Sequence, residues 1–584
     1  MIMKNKIYLS AALLILGIAG CQKLDREIIT DLNRTQLEDA YGNVGALLNG
    51  VYVELQEGFQ NIDLAMMASA TDEAEFVNEN SSVQNFNNGS WNAISNPGGG
   101  IWSSSFKGIR KANIFFVSAD KVNLDQFKLD PSPSAQSVYT TRLAEIARWK
   151  YEARFLRAFF YFELIKRYGG VPIMTTALSE SDIAGVKRNT LEECVKFISD
   201  ECDSAANNLP VIYSATASTD LSRATKGAAL ALKARLLLYA ASELWNNPSW
   251  AAGYANPLLI SLPAGNRNAR WQAAADAAKA VIDLPGTGYA LFNNYSTLFR
   301  NFNVPEIIFT RRNSASNAFE VANFPIGFDR GQSGNGPSQD LVDAYEIKVS
   351  ATSSIKFDWN NPAHAANPYA TSGATERDPR LFTTIAVNNT NFSTVSGVTR
   401  PLEIFPGGRD GKPVVNSTKT GYYLRKYVNE SINITTGQVA VHSWIYFRLA
   451  EIYLNYAEAL NEYSPGNAGI KTFYDLVRNR TGVAMPPLPA GLSQAEVREK
   501  IRNERRVEFA FEDHRAWDVR RWMIAPTTLG APLRGVDVIR TGTTTFTYTP
   551  NIVEQRVFQP KMYLYPIPQS ELNISQGLVQ NPLW

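Results

Sequence analysis

"RLAEIARWKYEARFLRAFFYFELIKRYGGVP", Arg142–Pro172, is the stretch from which the fold can be read. It reads as one of a series of helices with small residues at packing positions, running from Arg142. Gly169 and Gly170 supply a turn that a side chain would hinder, and Pro172 forbids continuation. Downstream, Thr190 and Glu193 form a capping box opening "LEECVKFISDECDSAANNL". "RATKGAALALKARLLLYAASELW" follows, with Gly227, Ala231, Ala234 and Leu238 at helical spacing, and "WQAAADAAKAVID" (271–283) repeats the alanine-rich habit. Small residues at crossing points let helices approach closely, which predicts a tetratricopeptide-like stack of degenerate repeats.

Between about residues 284 and 444 the helical period is lost. Gly, Pro, Asn, Ser and Thr dominate, and apolar runs such as "EIIFT" are short. Helices return in "SWIYFRLAEIYLNYAEALNEYSPGNAGIKTFYDLVRNRTG" (443–482) and in "SQAEVREKIRNERRVEFAFEDHRAWDVRRW" (493–522), the second opened by its own capping box, Ser493 with Glu496. The expected fold class is mostly α: a tetratricopeptide-like helical-repeat scaffold with a long loop-rich insert containing short strands. Such inserts carry binding residues on a rigid support.

The 584 residues exceed what one core usually organises, and the net charge of +2 with 19% charged residues excludes a basic nucleic-acid surface or an acidic tail. Lys4 and Lys6, an apolar run "IYLSAALLILGIAG" and then Cys21 give the order of a secretory leader. Ile18-Ala19-Gly20-Cys21 has the pattern of a lipoprotein signal, with the Cys21 thiol as the acylation site; an ordinary leader with a chance cysteine is the alternative. More than one acyl chain gives stable anchoring without a spanning helix. Cys194 and Cys202, eight residues apart on one helix, sit about 12 Å from each other, beyond the roughly 7 Å reach of a disulfide, and are expected as buried thiols.

Five of these stretches, in order, carry a family resemblance. After the lipoprotein start come "EARFLRAFFYFELIKRYGGVPI", "RLAEIYLNYAEALNE" with "DLVRNRTG", "IRNERRVEFAFEDHRAWDVRRW" and the closing "LYPIPQSELNISQGLVQNP". Together they resemble the SusD/RagB family of nutrient-binding outer-membrane lipoproteins. The resemblance implies a lipid anchor facing the cell exterior, a SusC-type TonB-dependent transporter as partner, and capture of an oligosaccharide, or in some members a peptide, for delivery to it. The implied organisation is a leader at 1–20, a SusD-like helical domain at 21–250 and a SusD/RagB domain with the ligand-binding insert at 251–584. Two positions depart from the family pattern: "QNPLW" ends the chain in place of "QNPGY", and Asp513 stands where the family often has glycine.

Ligand contact is expected from two regions, which are also where the family draws its contacts. "TDEAEF" and "GSWNAISNPGGGIWSSSF" offer Asp72, Glu73, Asn92 and the rings of Trp91 and Trp102; the insert offers Arg330, Tyr345, Phe357, Trp359 and Asn360. Aromatic rings cover the apolar C–H faces of sugars while carboxylates, amides and guanidinium groups pair with hydroxyls. Trp91, ahead of a triple glycine, is expected to be the more exposed of the first pair, and Trp102 to share in packing. Within the charge-dense segment 504–521, helical geometry predicts i,i+3 pairs Arg505–Glu508, Glu512–Arg515 and Asp518–Arg521. His364, His442 and His514 lie far apart without HExxH or paired-cysteine context, and Ser333 lacks a nucleophile elbow, so no metal, cofactor or catalytic residue is expected. The enzymatic alternative, a glycosidase using Asp72, Glu73 or Glu75, needs two carboxyl groups across the scissile bond, which one short segment rarely supplies.

Overall fold

A computed structural model describes residues 41–213, 222–392 and 399–584. Cys21 and the leader lie outside the described residues. The helical frame comprises α1 (Tyr41–Tyr52), α2 (Gly100–Asp120), α3 (Pro133–Tyr168), α4 (Leu191–Asn208), α5 (Lys226–Ala241) and α6 (Arg267–Ile282). After the insert, whose α7 (Gln339–Ala344) is discussed below, come α8 (Leu449–Tyr463), α9 (Ala468–Arg478), α10 (Gln494–Glu508) and α11 (His514–Arg521). Each long helix packs on the next, α2 on α3, α3 on α4, α4 on α5 and α5 on α6. The stack then passes over the insert, with α6 on α8 and α8 on both α9 and α10.

Helix α3 is the axle. It starts nine residues before Arg142, because Ser132 caps it by accepting from the Ala135 amide and Pro133 occupies its first turn. From Phe155 to Phe162 and from Leu164 to Tyr168 every residue is buried. The double glycine that ends it serves close approach as well as the turn. A Cβ on Gly169 would lie 2.3 Å from the Leu259 carbonyl oxygen, and one on Gly170 2.1 Å from that of Asn189. Both expected capping boxes form, at Thr190/Glu193 and Ser493/Glu496, and Cys194 and Cys202 are buried and unbridged. Alanines do what the pattern demanded at α5, α6 and α8, where Ala241, Ala274, Ala275, Ala450 and Ala457 share one core with Leu238 and Leu454. Gly227 instead makes room for Tyr289, whose hydroxyl oxygen would lie 2.1 Å from an added Cβ.

The insert holds short antiparallel pairs. β1 (Ala74–Phe76) pairs with β3 (Asn335–Pro337), and β2 (Ile307–Arg312) with the fully buried β4 (Ser443–Arg448). A hairpin near the C-terminus joins β5 (Leu533–Arg540) to β6 (Phe546–Glu554).

The segment 504–521 departs from the expected ion pairs. Phe511 and Asp513 both have φ of 62°, so α10 stops at Glu508 and α11 begins at His514; no continuous helix carries the i,i+3 geometry across them. Only Asp518–Arg521 forms as expected, at 2.8 Å. Arg505 turns to Asp518, Glu508 is shared by Arg380, Arg448 and Arg480, and Glu512 by Lys426 and Arg448. Each of these charges is buried with opposite-charge partners, the condition under which an ion can leave water at all.

Candidate functional site

The two expected contact regions have different fates. Trp91 is 1% exposed, its ring set against Phe86, Tyr565 and Trp584 at centroid distances of 4.9, 5.1 and 4.7 Å. The expectation of an exposed ring is therefore corrected. Of the glycines after it, Gly98 reflects crowding, since a Cβ there would approach Tyr565 to 2.7 Å, while one on Gly100 would meet open space. The chain's unusual ending contributes directly, because Trp584 supplies one wall of the Trp91 pocket and donates from Nε1 to the Leu564 carbonyl at 3.0 Å. Trp102, in the first turn of α2, is 4% exposed between Phe106 and Tyr168. Asn92 is exposed, but its side-chain oxygen accepts from the Ile94 and Ser95 amides and so closes its own turn.

Asp72 and Glu73 are buried as well. Arg515 donates to both Asp72 carboxylate oxygens at 2.8 Å, and Arg506 adds a bond of 2.7 Å. Although burial opposes ionisation, these guanidinium groups hold the Asp72 carboxyl well below the usual carboxylate range. Glu73 has the opposite balance: burial, then the neighbouring Asp72 charge, push it up to about 8. Its Oε2 accepts from the Phe511 amide at 3.4 Å and its Oε1 has no partner among the described residues. Ser338, which caps α7, donates to the Asp72 carbonyl at 2.6 Å. The pair thus ties β1, α7 and α11 together behind the surface; two carboxyls pushed apart in pKa suggest acid–base chemistry, but both are buried here.

In the insert, Tyr345 is fully buried, and burial raises its phenol. Its carbonyl accepts from Arg377 at 2.9 and 3.2 Å, so it packs where a ligand contact was expected. Arg330 is exposed, with no ion-pair partner among the described residues. Trp359 is half-buried, its edge on Phe357 (centroids 5.0 Å) and its Nε1 donating to Asp343 at 3.0 Å. Asn360 is exposed beside it, bonded to Asp358.

Trp359 leads into a hydrogen-bonded aromatic surface. Asp343, on α7, also accepts from Gln339 at 2.7 Å and from Arg534 of β5 at 2.8 Å; Arg534 bonds Asp340 at 2.7 Å as well. Gln339 accepts from the buried Tyr422 hydroxyl at 2.5 Å, which meets the Tyr369 hydroxyl at 2.7 Å. The Tyr369 ring stands edge-on to Tyr548 of β6 (4.9 Å, 90°), and Asn388 donates to the Tyr548 hydroxyl at 3.4 Å. Farther along the hairpin Phe546 stacks on Phe405 at 5.6 Å, with the Arg540 guanidinium 5.1 Å over the latter ring. Trp359, Tyr369, Tyr548, Phe405 and Phe546 are all half-buried.

Rings held this way present apolar faces at little entropic cost on binding, flanked by an arginine, carboxylates and amides that can meet hydroxyl groups. Of this surface, sequence reading found Trp359 and Asn360. It missed Tyr369, Tyr548, Arg534 and Asp343. The alternation of Phe546 and Tyr548 in "TFTYTP" was the available signal, a half-buried strand with aromatics on one face. Among the described residues no cluster of three or more His, Cys, Asp or Glu is placed to hold a metal ion. His442 is bonded to Glu320 at 2.9 Å, His364 accepts from the Asp358 amide, and His514 lies against Phe509.

A profile described as the SusD family matches residues 305–584, and one described as starch-binding associating with outer membrane matches 26–238. SusD-like protein P2 of Formosa agariphila is 25% identical over 592 residues, covering 99% of each chain. Among solved structures, a SusD-like protein of Bacteroides fragilis superposes with a TM-score of 0.75 at 26% identity, covering 94% of this chain and 98% of that one. A SusD-like carbohydrate-binding protein of the same species gives 0.72 at 25% identity, covering 93% and 100%.

Proposed function

The chain belongs to the SusD/RagB family, and from that premise we propose that it captures an oligosaccharide on the Trp359–Tyr369–Tyr548 surface and hands it, unreacted, to a TonB-dependent outer-membrane transporter of the SusC type. The observation that carries this reading is the set of half-exposed rings held by hydrogen bonds from Trp359 to Tyr369, by the edge-on contact of Tyr369 with Tyr548, and by the bond of Asn388 to Tyr548. The carbohydrate binding stated for the Bacteroides fragilis relative supports it. Capture without hydrolysis is supported by the burial of Asp72 and Glu73 and by the engagement of Asp340 and Asp343 with Arg534. Arg330 serves at most as a peripheral contact. Anchoring is through lipid on Cys21, at the surface of the outer membrane that the second profile's description names. No described helix is long and apolar enough to cross a membrane. The helical part, 21–250, supplies the support, and 251–584 carries the insert and its ligand.

The test is a glycan and peptide binding screen with Trp359→Ala and Tyr548→Ala beside the parent chain. Binding of one glycan class without product release, weakened about fivefold to thirtyfold in each variant at unchanged melting temperature, is expected, because each lost ring contact is worth about 1–2 kcal/mol. Peptide binding, or glycan binding indifferent to both changes, would overturn the assignment of ligand or surface respectively.

A further inference from the structure

A second concave feature, remote in sequence and contacts from the aromatic surface, lies where the end of α1 meets the end of β2. Its volume is about 400 Å³, within the range of small-ligand pockets. Asn49, Ser222, Arg223, Arg311, Arg312 and Asn313 supply its polar lining, and no carboxylate lines it among the described residues. Three arginines line this one cavity in a chain with 57 basic and 55 acidic residues.

These arginines are not equivalent. Arg223 is anchored, donating to Glu152 at 2.9 Å and to Asn49 at 3.4 Å. Glu152 is fully buried and is shared with Arg148 at 3.2 Å and the Tyr52 hydroxyl at 2.7 Å. Arg311 is half-buried and Arg312 exposed; neither has an ion-pair partner among the described residues. Arg312 is steered by its position 4.0 Å over the Phe302 ring. Elsewhere in the molecule buried arginines have protein acceptors, acids for Arg380, Arg448 and Arg556 and backbone carbonyls for Arg188 and Arg377. Two further groups point to a ligand. The Ser222 hydroxyl and the Asn313 side-chain oxygen are both buried and without a partner among the described residues, and buried polar atoms are ordinarily satisfied. Asn313 is fixed from its other end, its amide nitrogen donating to Glu57 at 3.2 Å.

Guanidinium forks match oxyanions in charge and geometry, and stay protonated throughout the physiological range. A hydroxyl donor and an acceptor beside them suit a group that carries both an anion and neighbouring hydroxyls. We propose that this cavity is a second ligand site, taking the oxyanion of an acidic sugar, a uronate carboxylate or a sulfate ester, on Arg311 and Arg312 over a base formed by Arg223. The sugar part of this inference rests on the capture reading above. The anion part rests on the cavity alone.

The experiment is calorimetric titration of the full chain, in detergent, with glucuronate, glucose 6-sulfate and glucose. Saturable binding of at least one charged probe is expected, with none for glucose. The double change Arg311→Gln with Arg312→Gln should weaken it at least tenfold, whereas Arg311→Lys with Arg312→Lys, which keeps charge and loses the fork, should retain part of it. Raising salt from 50 to 500 mM should weaken it severalfold. The tighter of the two charged probes identifies the source of the oxyanion. Trp359→Ala should leave all of these values within twofold, so failure of the platform reading and failure of this one are separable. Absence of binding by both charged probes, equal binding of glucose, or undiminished binding in a folded Gln double variant would each overturn the proposal.

Discussion

Two stretches of this chain have nearly the same vocabulary and opposite roles. Residues 72–102 and residues 339–369 both mix tryptophan with carboxylates and asparagine. The first is folded inward: Trp91 meets the C-terminal Trp584, and Asp72 meets Arg506 and Arg515, more than four hundred residues away. The second buries Tyr345 but turns Trp359 outward, held at its edge by Asp343 so that part of the ring stays in solvent. The difference lies in what covers each one. An aromatic ring in a loop is a ligand platform only where no distant segment arrives to bury it.

The sharpest way to break this comparison is to remove a partner from the inward stretch. Arg515→Met leaves Asp72 buried with Arg506 as its remaining direct partner, and should cost about 3–5 kcal/mol by urea denaturation. A loss below 1 kcal/mol would mean that Asp72 faces solvent after all. Trp91→Ala should cost about 3–4 kcal/mol, through the cavity left among Phe86, Tyr565 and Trp584, while ligand affinity of the folded fraction stays unchanged. A drop in affinity at full stability would return Trp91 to the binding surface.

Glu73 sharpens the comparison through pH. Its carboxyl is held protonated up to about 8 in the folded chain, against 4.5 for the ordinary group. Below 4.5 it is protonated in both states and costs nothing; as pH rises toward 8 the unfolded chain ionises while the folded one does not, and stability falls. Glu73→Gln removes that slope. By pH 8.5 the variant should exceed the parent by about 2–4 kcal/mol, with little difference at pH 4.5, as read from denaturation midpoints across pH. Parallel curves would show that Glu73 is ionised and solvated. The smallest effect belongs to Arg330→Ala: exposed and without an ion-pair partner among the described residues, it should change stability by less than about 0.5 kcal/mol, checked in the same assay.

Local physics was legible wherever its cause was local. The capping boxes at Thr190 and Ser493, the stop at Gly169, the alanine-rich contacts of α5 and α6 and the unbridged Cys194 and Cys202 follow from spacing and propensity, and so does the helical stack they build. Three of the five ordered motifs of the SusD/RagB pattern lie in that stack, on α3, on α8 with α9, and on α10 with α11. What tertiary structure alone decided is which polar and aromatic groups are left for a ligand. Helical spacing offered Glu512 to Arg515, but the positive φ angles of Phe511 and Asp513 broke the helix and sent Arg515 to Asp72. The surface around Trp359 joins Asp343, Tyr369, Tyr422, Arg534 and Tyr548 from five separated stretches. Burial is a property of what packs from elsewhere in the chain, and a residue's near neighbours in sequence carry no record of it.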